Sequence, residues 1–167
     1  MADLSLQERM QPSLLDRLTD TAPEETLEVA SQRSLTLPRL RQSVLRDLSW
    51  LFNACNLGQR LLAKTHPEVA RSVVNYGIPD FAGLCGATLD ADEVVRIVRQ
   101  AVWDFEPRIR RETLQVRLLP GSETSAQSTL TFEIAGELWA QPVPLELVVR
   151  TNVDLETGVV QVVEHYG

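Results

Sequence analysis

Cysteine and histidine are scarce in this chain. Its 167 residues include two cysteines, Cys55 and Cys85, and two histidines, His66 and His165. They form neither a C-x-x-C pair nor a cluster with zinc-ligand spacing, and two cysteines do not make a disulfide framework. We therefore expect no metal site and two buried thiols. The glycine-containing segment at residues 83–86 is too short for a dinucleotide-binding loop, so we expect no cofactor.

Long apolar runs are also absent. The run at residues 144–149 is interrupted by Glu146 and followed by Arg150, and nothing approaches the ~20 apolar residues of a membrane span. The first ten residues contain Asp3 and Glu8 and lack the apolar core of a signal peptide. These absences predict a cytoplasmic protein without a membrane span.

Basic residues are outnumbered, at 16 against 23 acidic residues, which gives a net charge of −7. The acidity lies at the two ends of the chain, since residues 113–167 carry two basic and seven acidic groups and residues 1–40 carry four and seven. Nucleic-acid binding requires a basic face that neutralises phosphates, so we expect no nucleic-acid partner. Fifteen of the basic residues are arginine. This preference is explained equally well by contacts in protein interfaces and by a codon bias of the genome.

Two segments repeat apolar residues at helical intervals. In the first, between residues 41 and 55, the repeat consists of Val44, Leu45, Leu48, Leu51 and Phe52. The second follows a capping pair, Asp90 and Glu93, and ends before Pro107, which disfavours helical geometry at the preceding residue. A shorter helix is predicted from Pro67 to just before Gly77, because glycine suits the left-handed position after a helix.

After residue 113 the apolar period changes to two. Alternation around residues 114–118 and 130–134, then segments 145–153 and 159–163, predict sequential strands, with a turn at residues 154–158. Short links between sequential strands favour antiparallel pairing. The fold class is therefore predicted as α+β, with helices followed by a three- or four-stranded, mainly antiparallel sheet.

The first 35 residues differ from the rest in having one apolar cluster among scattered polar residues. Leu14, Leu15 and Leu18 fall on one face of a short helix, with Ser13 as its N-cap. We divide the chain into an N-terminal arm, residues 1–35, and a single domain, residues 36–167. The arm helix either packs on its own domain or docks on a partner, and the pattern favours neither.

Catalytic motifs are missing. No G-x-S-x-G elbow, H-E-x-x-H pair or Walker loop occurs. Asp104 and Glu106 are a conceivable carboxylate pair for a glycosidase, but their spacing alone does not support that chemistry. With 5% aromatic residues, few side chains are available to stack on sugars.

A proline between two opposite charges follows the second long helix. Pro107 fixes the chain between Glu106 and Arg108, which presents an acid and an arginine in a set relation. Such a turn suits a specific polar contact, and it equally suits a helix stop with a local ion pair.

Four motifs together carry a family resemblance. They are Ser-Leu-Leu-Asp-Arg-Leu at residues 13–18, Ser-Val-Leu-Arg-Asp-Leu at 43–48, Ser-Val-Val-Asn-Tyr-Gly-Ile-Pro-Asp at 72–80 and Phe-Glu-Pro-Arg at 105–108. In order and spacing, the chain resembles the TssE branch of the phage baseplate wedge family over nearly its whole length.

The resemblance implies a structural, non-enzymatic baseplate component of a type VI secretion system. It implies that the protein joins the wedge subunits TssF and TssG, supports assembly of the contractile sheath, and lies in a cytoplasmic baseplate docked at the inner membrane complex. It also assigns partner binding to Glu106, Pro107 and Arg108, to which we add Leu14, Leu15 and Leu18 of the arm.

We expect Arg108→Ala to weaken assembly while changing stability little, on the premise that its ion pair is exposed. The alternatives are a peptidoglycan-cleaving, lysozyme-like enzyme and a free-standing binding adaptor.

Overall fold

Helices come first along the chain and a sheet follows. The computed structural model describes residues 13–19, 24, 36–57, 65–81, 90–119, 129–139 and 144–164. The helical elements are α1 (Leu14–Leu18), α2 (Leu37–Phe52), α3 (Pro67–Ala70), a 3₁₀ turn (Val73–Asn75) and α4 (Ala91–Phe105). The strands are β1 (Gln115–Leu118), β2 (Thr129–Leu138), β3 (Leu145–Asp154) and β4 (Val160–Glu164).

The four strands form one antiparallel sheet in the order β1-β2-β3-β4. β2 and β3 pair over ten residues, with Phe132 opposite Thr151 and Ile134 opposite Val149. Buried and partly buried positions alternate along β2, so one face of the sheet is turned to the core. The α+β prediction is confirmed, with four strands.

The core lies between the buried face of this sheet and helices α2 and α4. α2 packs near β4, and α4 packs near β1. Phe52 of α2 meets Phe132 of β2 edge to face, with ring centroids 5.9 Å apart. The most completely buried side chains of the two helices are Val44, Leu48, Val98 and Val102. No described helix is long and apolar enough to cross a membrane.

Helix α2 is displaced toward the N-terminus relative to the predicted segment. It begins at Leu37, where Pro38 occupies the first turn and loses no helical hydrogen bond. It ends at Phe52 because Asn53 caps it and ties it to the sheet: Asn53 donates to the carbonyl of Val160 and accepts from its N–H, at 2.9 and 3.0 Å. Cys55 therefore lies in the following loop and is exposed, so its prediction as a buried thiol is wrong. Cys85 lies outside the described residues.

The short helix predicted between Pro67 and Gly77 is divided in two. α3 ends at Ala70, and the Ser72 hydroxyl then accepts from the N–H of Val74 and starts the 3₁₀ turn. Gly77 has a φ of +115°. A Cβ at this position would lie 2.1 Å from the carbonyl oxygen of Ala54, so only glycine fits.

Candidate functional site: a charge network at the end of helix α4

The end of helix α4 places a buried carboxylate. The Glu106 N–H donates to Val102 at 2.9 Å and closes the helix, and Pro107 prevents another turn, as predicted. The side chain of Glu106 turns inward and is 3% exposed. Its Oε1 accepts the N–H of Arg108 at 3.1 Å and the Arg108 Nε at 2.7 Å, and its Oε2 accepts Nη2 at 2.5 Å. The turn is therefore a bidentate Glu-Arg clamp.

The same arginine joins the turn to helix α2. Arg108 Nη1 donates to the Ser43 hydroxyl at 2.8 Å, and Nη2 donates to Asp47 Oδ2 at 2.5 Å. Each guanidinium nitrogen thus has an acceptor inside the chain. Burial by itself lowers the pKa of Arg108, but Glu106 and Asp47 outweigh it and raise the pKa above its ordinary value.

A second arginine continues the contacts from helix α2 to the arm. Arg46 holds Asp47 Oδ1 through Nε and Nη2, at 2.9 and 2.8 Å. Its Nη1 donates to Asp16 Oδ1 of α1 at 2.6 Å. The guanidinium also lies 4.9 Å from the ring centre of Trp50, a cation–π distance. Asp47 is therefore shared by two arginines, and Arg46 by two carboxylates.

Asp16 attaches α1 to the domain. Its Oδ2 accepts hydroxyl protons from Ser13 at 2.6 Å and Ser43 at 2.9 Å. Burial raises the pKa of Asp16, but hydrogen bonds from Ser13, Arg46 and Ser43 outweigh it and lower the pKa from 3.8 to about 2. The Ser13 hydroxyl also accepts from the Asp16 N–H, which caps α1 as the sequence predicts.

These contacts form one connected group, here termed the charge network: Asp16, Ser43, Arg46, Asp47, Glu106 and Arg108. Three carboxylates and two guanidiniums give it a net charge of −1 at neutral pH. Ser43, Arg46 and Asp47 are spaced by three and four residues, so they share one face of helix α2. The core-facing residues of that helix occupy another face.

An open groove of about 550 Å³ lies beside the network. Its polar floor contains Asp47, Glu106 and Arg108, and it is here termed the turn groove. Its other lining residues are Ser13, Leu15, Leu48, Trp50, Leu51, Tyr76, Phe105 and Pro107. Tyr76 stacks edge to face on Phe105 with centroids 5.2 Å apart and donates to the carbonyl of Asp47 at 3.4 Å. Burial, then Asp47 and Glu106, raise the pKa of Tyr76.

The comparison with known families matches this part of the chain. Residues 38–143 match the family described as baseplate wedge protein gp25, which is the family of TssE. The chain belongs to this family. Its members are structural baseplate components, and the matched range contains every member of the charge network except Asp16. No curated protein and no solved structure matches the chain.

The four motifs that resemble this family meet at one place in the fold. Residues 13–18 contribute Asp16, 43–48 contribute the α2 triplet, 72–80 contribute Tyr76, and 105–108 contribute the clamp. Asn75 of the third motif is buried for another reason, since it donates to the Ala70 carbonyl and accepts from the N–H of Leu57. The spacing of the motifs thus reflects one tertiary site and its supporting loop.

Four of the six predicted partner-binding residues line the turn groove, and the other two, Leu14 and Leu18, lie on α1 outside its lining. Glu106 is buried and Arg108 is partly buried, so the premise of an exposed Glu-Arg ion pair is wrong. Pro107 between them is exposed. In α1, Leu14, Leu15 and Leu18 are 70%, 45% and 74% exposed. The partner-binding role of all six residues stays a prediction.

Sequence reasoning did not single out Ser43, Arg46, Asp47 and Trp50 as site residues. The available signal was a polar triplet at spacings of three and four on a helix whose other repeat is apolar. Such a triplet is compatible with an ordinary solvated face, and only the bonds from Arg108 to Ser43 and Asp47 reveal its role.

Within the described residues, the geometry supports neither the glycosidase pair considered from the sequence nor a metal centre. Both oxygens of Asp104 lie 3.0 Å from the donor Gln100 Nε2, whereas both oxygens of Glu106 are bound by Arg108. A glycosidase acid must carry a proton to the leaving group, which does not suit a carboxylate held by a guanidinium. Within the described segments, no group of three or more His, Cys, Asp or Glu side chains is arranged to hold a metal ion.

Proposed function

We propose that this protein is the TssE-type structural subunit of a type VI secretion baseplate. It joins the wedge subunits TssF and TssG, supports the start of sheath assembly, and has no catalytic activity. It acts in the cytoplasm, in a baseplate docked at the inner membrane complex. The observation that carries the proposal is the turn groove, in which a buried Glu-Arg clamp lies within the range that matches the baseplate wedge family.

The composition of the turn groove suits protein binding. Partly exposed aromatic and aliphatic side chains surround a charged floor whose members are already held in place, which resembles the anchor region of an interface. Trp50, 50% exposed, and Leu15 supply apolar surface beside Arg108. A partner segment placed here buries these side chains without reorganising the charges.

The leucines of α1 extend the same surface. Leu15 lines the groove, and Leu14 and Leu18 lie on the same short helix with most of their area exposed. Their burial by a wedge subunit contributes apolar area that α1 does not bury on its own domain.

Co-purification with TssF and TssG tests the proposal. Trp50→Ala and Leu15→Ala change exposed groove residues, so we expect both variants to melt near the wild type and to lose most of the co-purified wedge subunits. Leu37→Ala is a matched control, because Leu37 is also partly exposed on α2 but lies about 20 Å along the helix from Trp50. Retention of both wedge subunits by Trp50→Ala and Leu15→Ala contradicts the groove assignment. Failure of the wild type to bind TssF, TssG or sheath contradicts the baseplate role and favours an adaptor of another kind.

A further inference from the structure

The arm helix is held on the domain by its polar side. α1 has five residues, too few for a helix to be stable alone. Leu14 and Leu18 remain largely exposed and Leu15 is half-buried, whereas Asp16 makes bonds of 2.6 and 2.9 Å to Arg46 and Ser43. The placement of α1 therefore depends on whether these two α2 side chains are available to Asp16.

Arg108 of the turn also influences the orientation of both Ser43 and Arg46. The Ser43 oxygen accepts a proton from Arg108 at 2.8 Å, which directs the hydroxyl's own proton toward Asp16. The Asp47 carboxylate accepts from Arg46 at Oδ1 and from Arg108 at Oδ2. Without Arg108, the whole carboxylate of Asp47 is free to draw Arg46 away from Asp16.

The arm in turn forms part of the groove. Ser13 and Leu15 line the turn groove together with Glu106, Pro107 and Arg108, without filling it. Arg108 at the floor of the groove and helix α1 in its wall are thus joined through Ser43, Arg46 and Asp47. Asp16 and Arg108 themselves make no direct bond in the described contacts.

We infer that Asp16 is a positioning residue for the turn groove: through Ser43 and Arg46 it couples docking of the arm helix to the Glu106–Arg108 clamp. The groove is complete only with α1 in place, and α1 is in place only with the clamp formed. The inference extends the proposed function, on which its binding experiment rests, but it also makes a prediction for the free chain.

The free chain tests the coupling by proteolysis within α1. Trypsin cleaves after Arg17 only when α1 opens, so the cleavage rate reports the open population. Arg108→Lys keeps the charge but loses the planar fork that reaches Glu106, Ser43 and Asp47 together. We expect this variant to be cleaved after Arg17 roughly five-fold faster or more, within the usual range of coupling between sites.

Two controls separate coupling from general unfolding. Arg110→Lys alters an exposed arginine two residues away that pairs with Glu137, and it should leave the rate unchanged. Cleavage after Arg150, in the middle of β3, should stay slow in both variants. An Arg108→Lys rate within two-fold of the wild type overturns the inference, as does equal acceleration at Arg150. If Arg108→Lys does not fold, Asp47→Asn replaces it, because Asp47 lies between the two arginines.

Binding to the wedge subunits tests whether Asp16 affects the turn groove. Asp16→Asn should lower affinity for TssF–TssG roughly 5- to 20-fold, and its effect should be non-additive with Arg108→Lys but additive with Arg110→Lys. If Asp16 affects only the overall stability of the domain, its effect on affinity should add independently to the effects of Arg108→Lys and Arg110→Lys. Increased affinity of Asp16→Asn, as expected if α1 blocks the groove, overturns the inference.

The two proposals fail differently. If Arg108→Lys and Trp50→Ala bind the wedge subunits normally, the proposed function of the groove fails, whereas the proteolysis result still decides the coupling. If those variants lose binding while Asp16→Asn binds like the wild type, the function stands and the coupling is wrong.

Discussion

Arg108 bonds to Glu106 of the turn and to Ser43 and Asp47 of helix α2, so its partners lie on both segments. Removing one member of a buried ion pair strongly lowers the free energy of unfolding, because it leaves the other charge buried without a partner. This holds even where the pair itself adds little net stability. This effect should be largest at Glu106, because its carboxylate is buried and accepts hydrogen bonds only from Arg108 in the described contacts.

We therefore expect Arg108→Ala to lower the free energy of unfolding by about 3 kcal/mol. Arg110→Ala, the matched change at an exposed arginine, should lower it by less than about 0.5 kcal/mol. Urea unfolding of the isolated domain measures both. Equal stability of Arg108→Ala and the wild type would show that the clamp is energetically neutral and would restore the expectation from the sequence.

Asp16 gives the protein a defined acid sensitivity. Its folded pKa of about 2 lies below its ordinary 3.8, so the unfolded chain binds more protons between these values. Its contribution to stability is present above about pH 4 and is lost as pH falls toward 2. Hydrogen bonds from Thr157 and Glu156 also lower the pKa of Asp154, which adds a background in the same direction.

The stability difference between wild type and Asp16→Asn should therefore shrink as pH falls from 5 to 2. Chemical denaturation at several pH values measures this difference and cancels the Asp154 background. A difference that is constant over this range would show that the Asp16 carboxylate is not held by Ser13, Ser43 and Arg46 in the folded state.

At the scale of single elements, the arm and the loop before α4 are held in different ways. α1 is attached through a side-chain carboxylate and adds little buried apolar area. The loop at residues 76–78 is attached through its backbone: Ile78 donates to the Ala54 carbonyl at 3.0 Å and accepts from Asn56 at 3.1 Å.

Deletion of residues 1–35 should leave a cooperatively folded domain, because α2, α4 and the sheet supply the described core. The midpoint should fall by a few degrees, since Ser43 and Arg46 lose Asp16. Thermal melting by circular dichroism provides the measurement. Loss of the cooperative transition would place the arm within the folding unit.

Gly77→Ala should destabilise the domain by about 2 kcal/mol or more, because a Cβ meets the Ala54 carbonyl and φ is +115°. Gly158→Ala is the control: Gly158 lies in the β3–β4 turn with φ +73°, where alanine costs about 1 kcal/mol. Chemical denaturation compares the two. A smaller effect at position 77 than at 158 would mean that the loop moves away from Ala54 without cost.

At the scale of the whole molecule, the charges of the network serve to hold three segments in one arrangement. The arm, helix α2 and the end of α4 meet there, and the groove opens beside them. Side chains of all three segments therefore line one groove.

Because both oxygens of Glu106 are bound by Arg108, purified protein should not lyse peptidoglycan. A turbidity assay on cell walls, with an active lysozyme as positive control, should show no clearing by the wild type, and Asp104→Asn and Glu106→Gln should give the same trace. Clearing by the wild type that either substitution abolishes would establish the hydrolase alternative.

Local patterns in the sequence determine the elements of this fold. The helical repeat of Val44, Leu48 and Leu51, the alternation in β2 and the stop at Pro107 all act between residues close in the chain, so they can be read without a structure. The α+β class and the order of its elements follow from them. The exact start of α2 and the division of the short helix at Ser72 do not, because capping contacts decide them.

The motifs indicate which segments matter, but only tertiary packing decided how their side chains form one site. Asp16, Asp47 and Arg108 are separated by tens of residues, and nothing in their local sequence distinguishes a solvated charge from a shared one. The outward placement of Cys55 likewise depends on where Asn53 ties α2 to β4. A charged side chain becomes a clamp only when packing removes it from water and brings its partners within hydrogen-bond distance, and that is a property of the assembled fold.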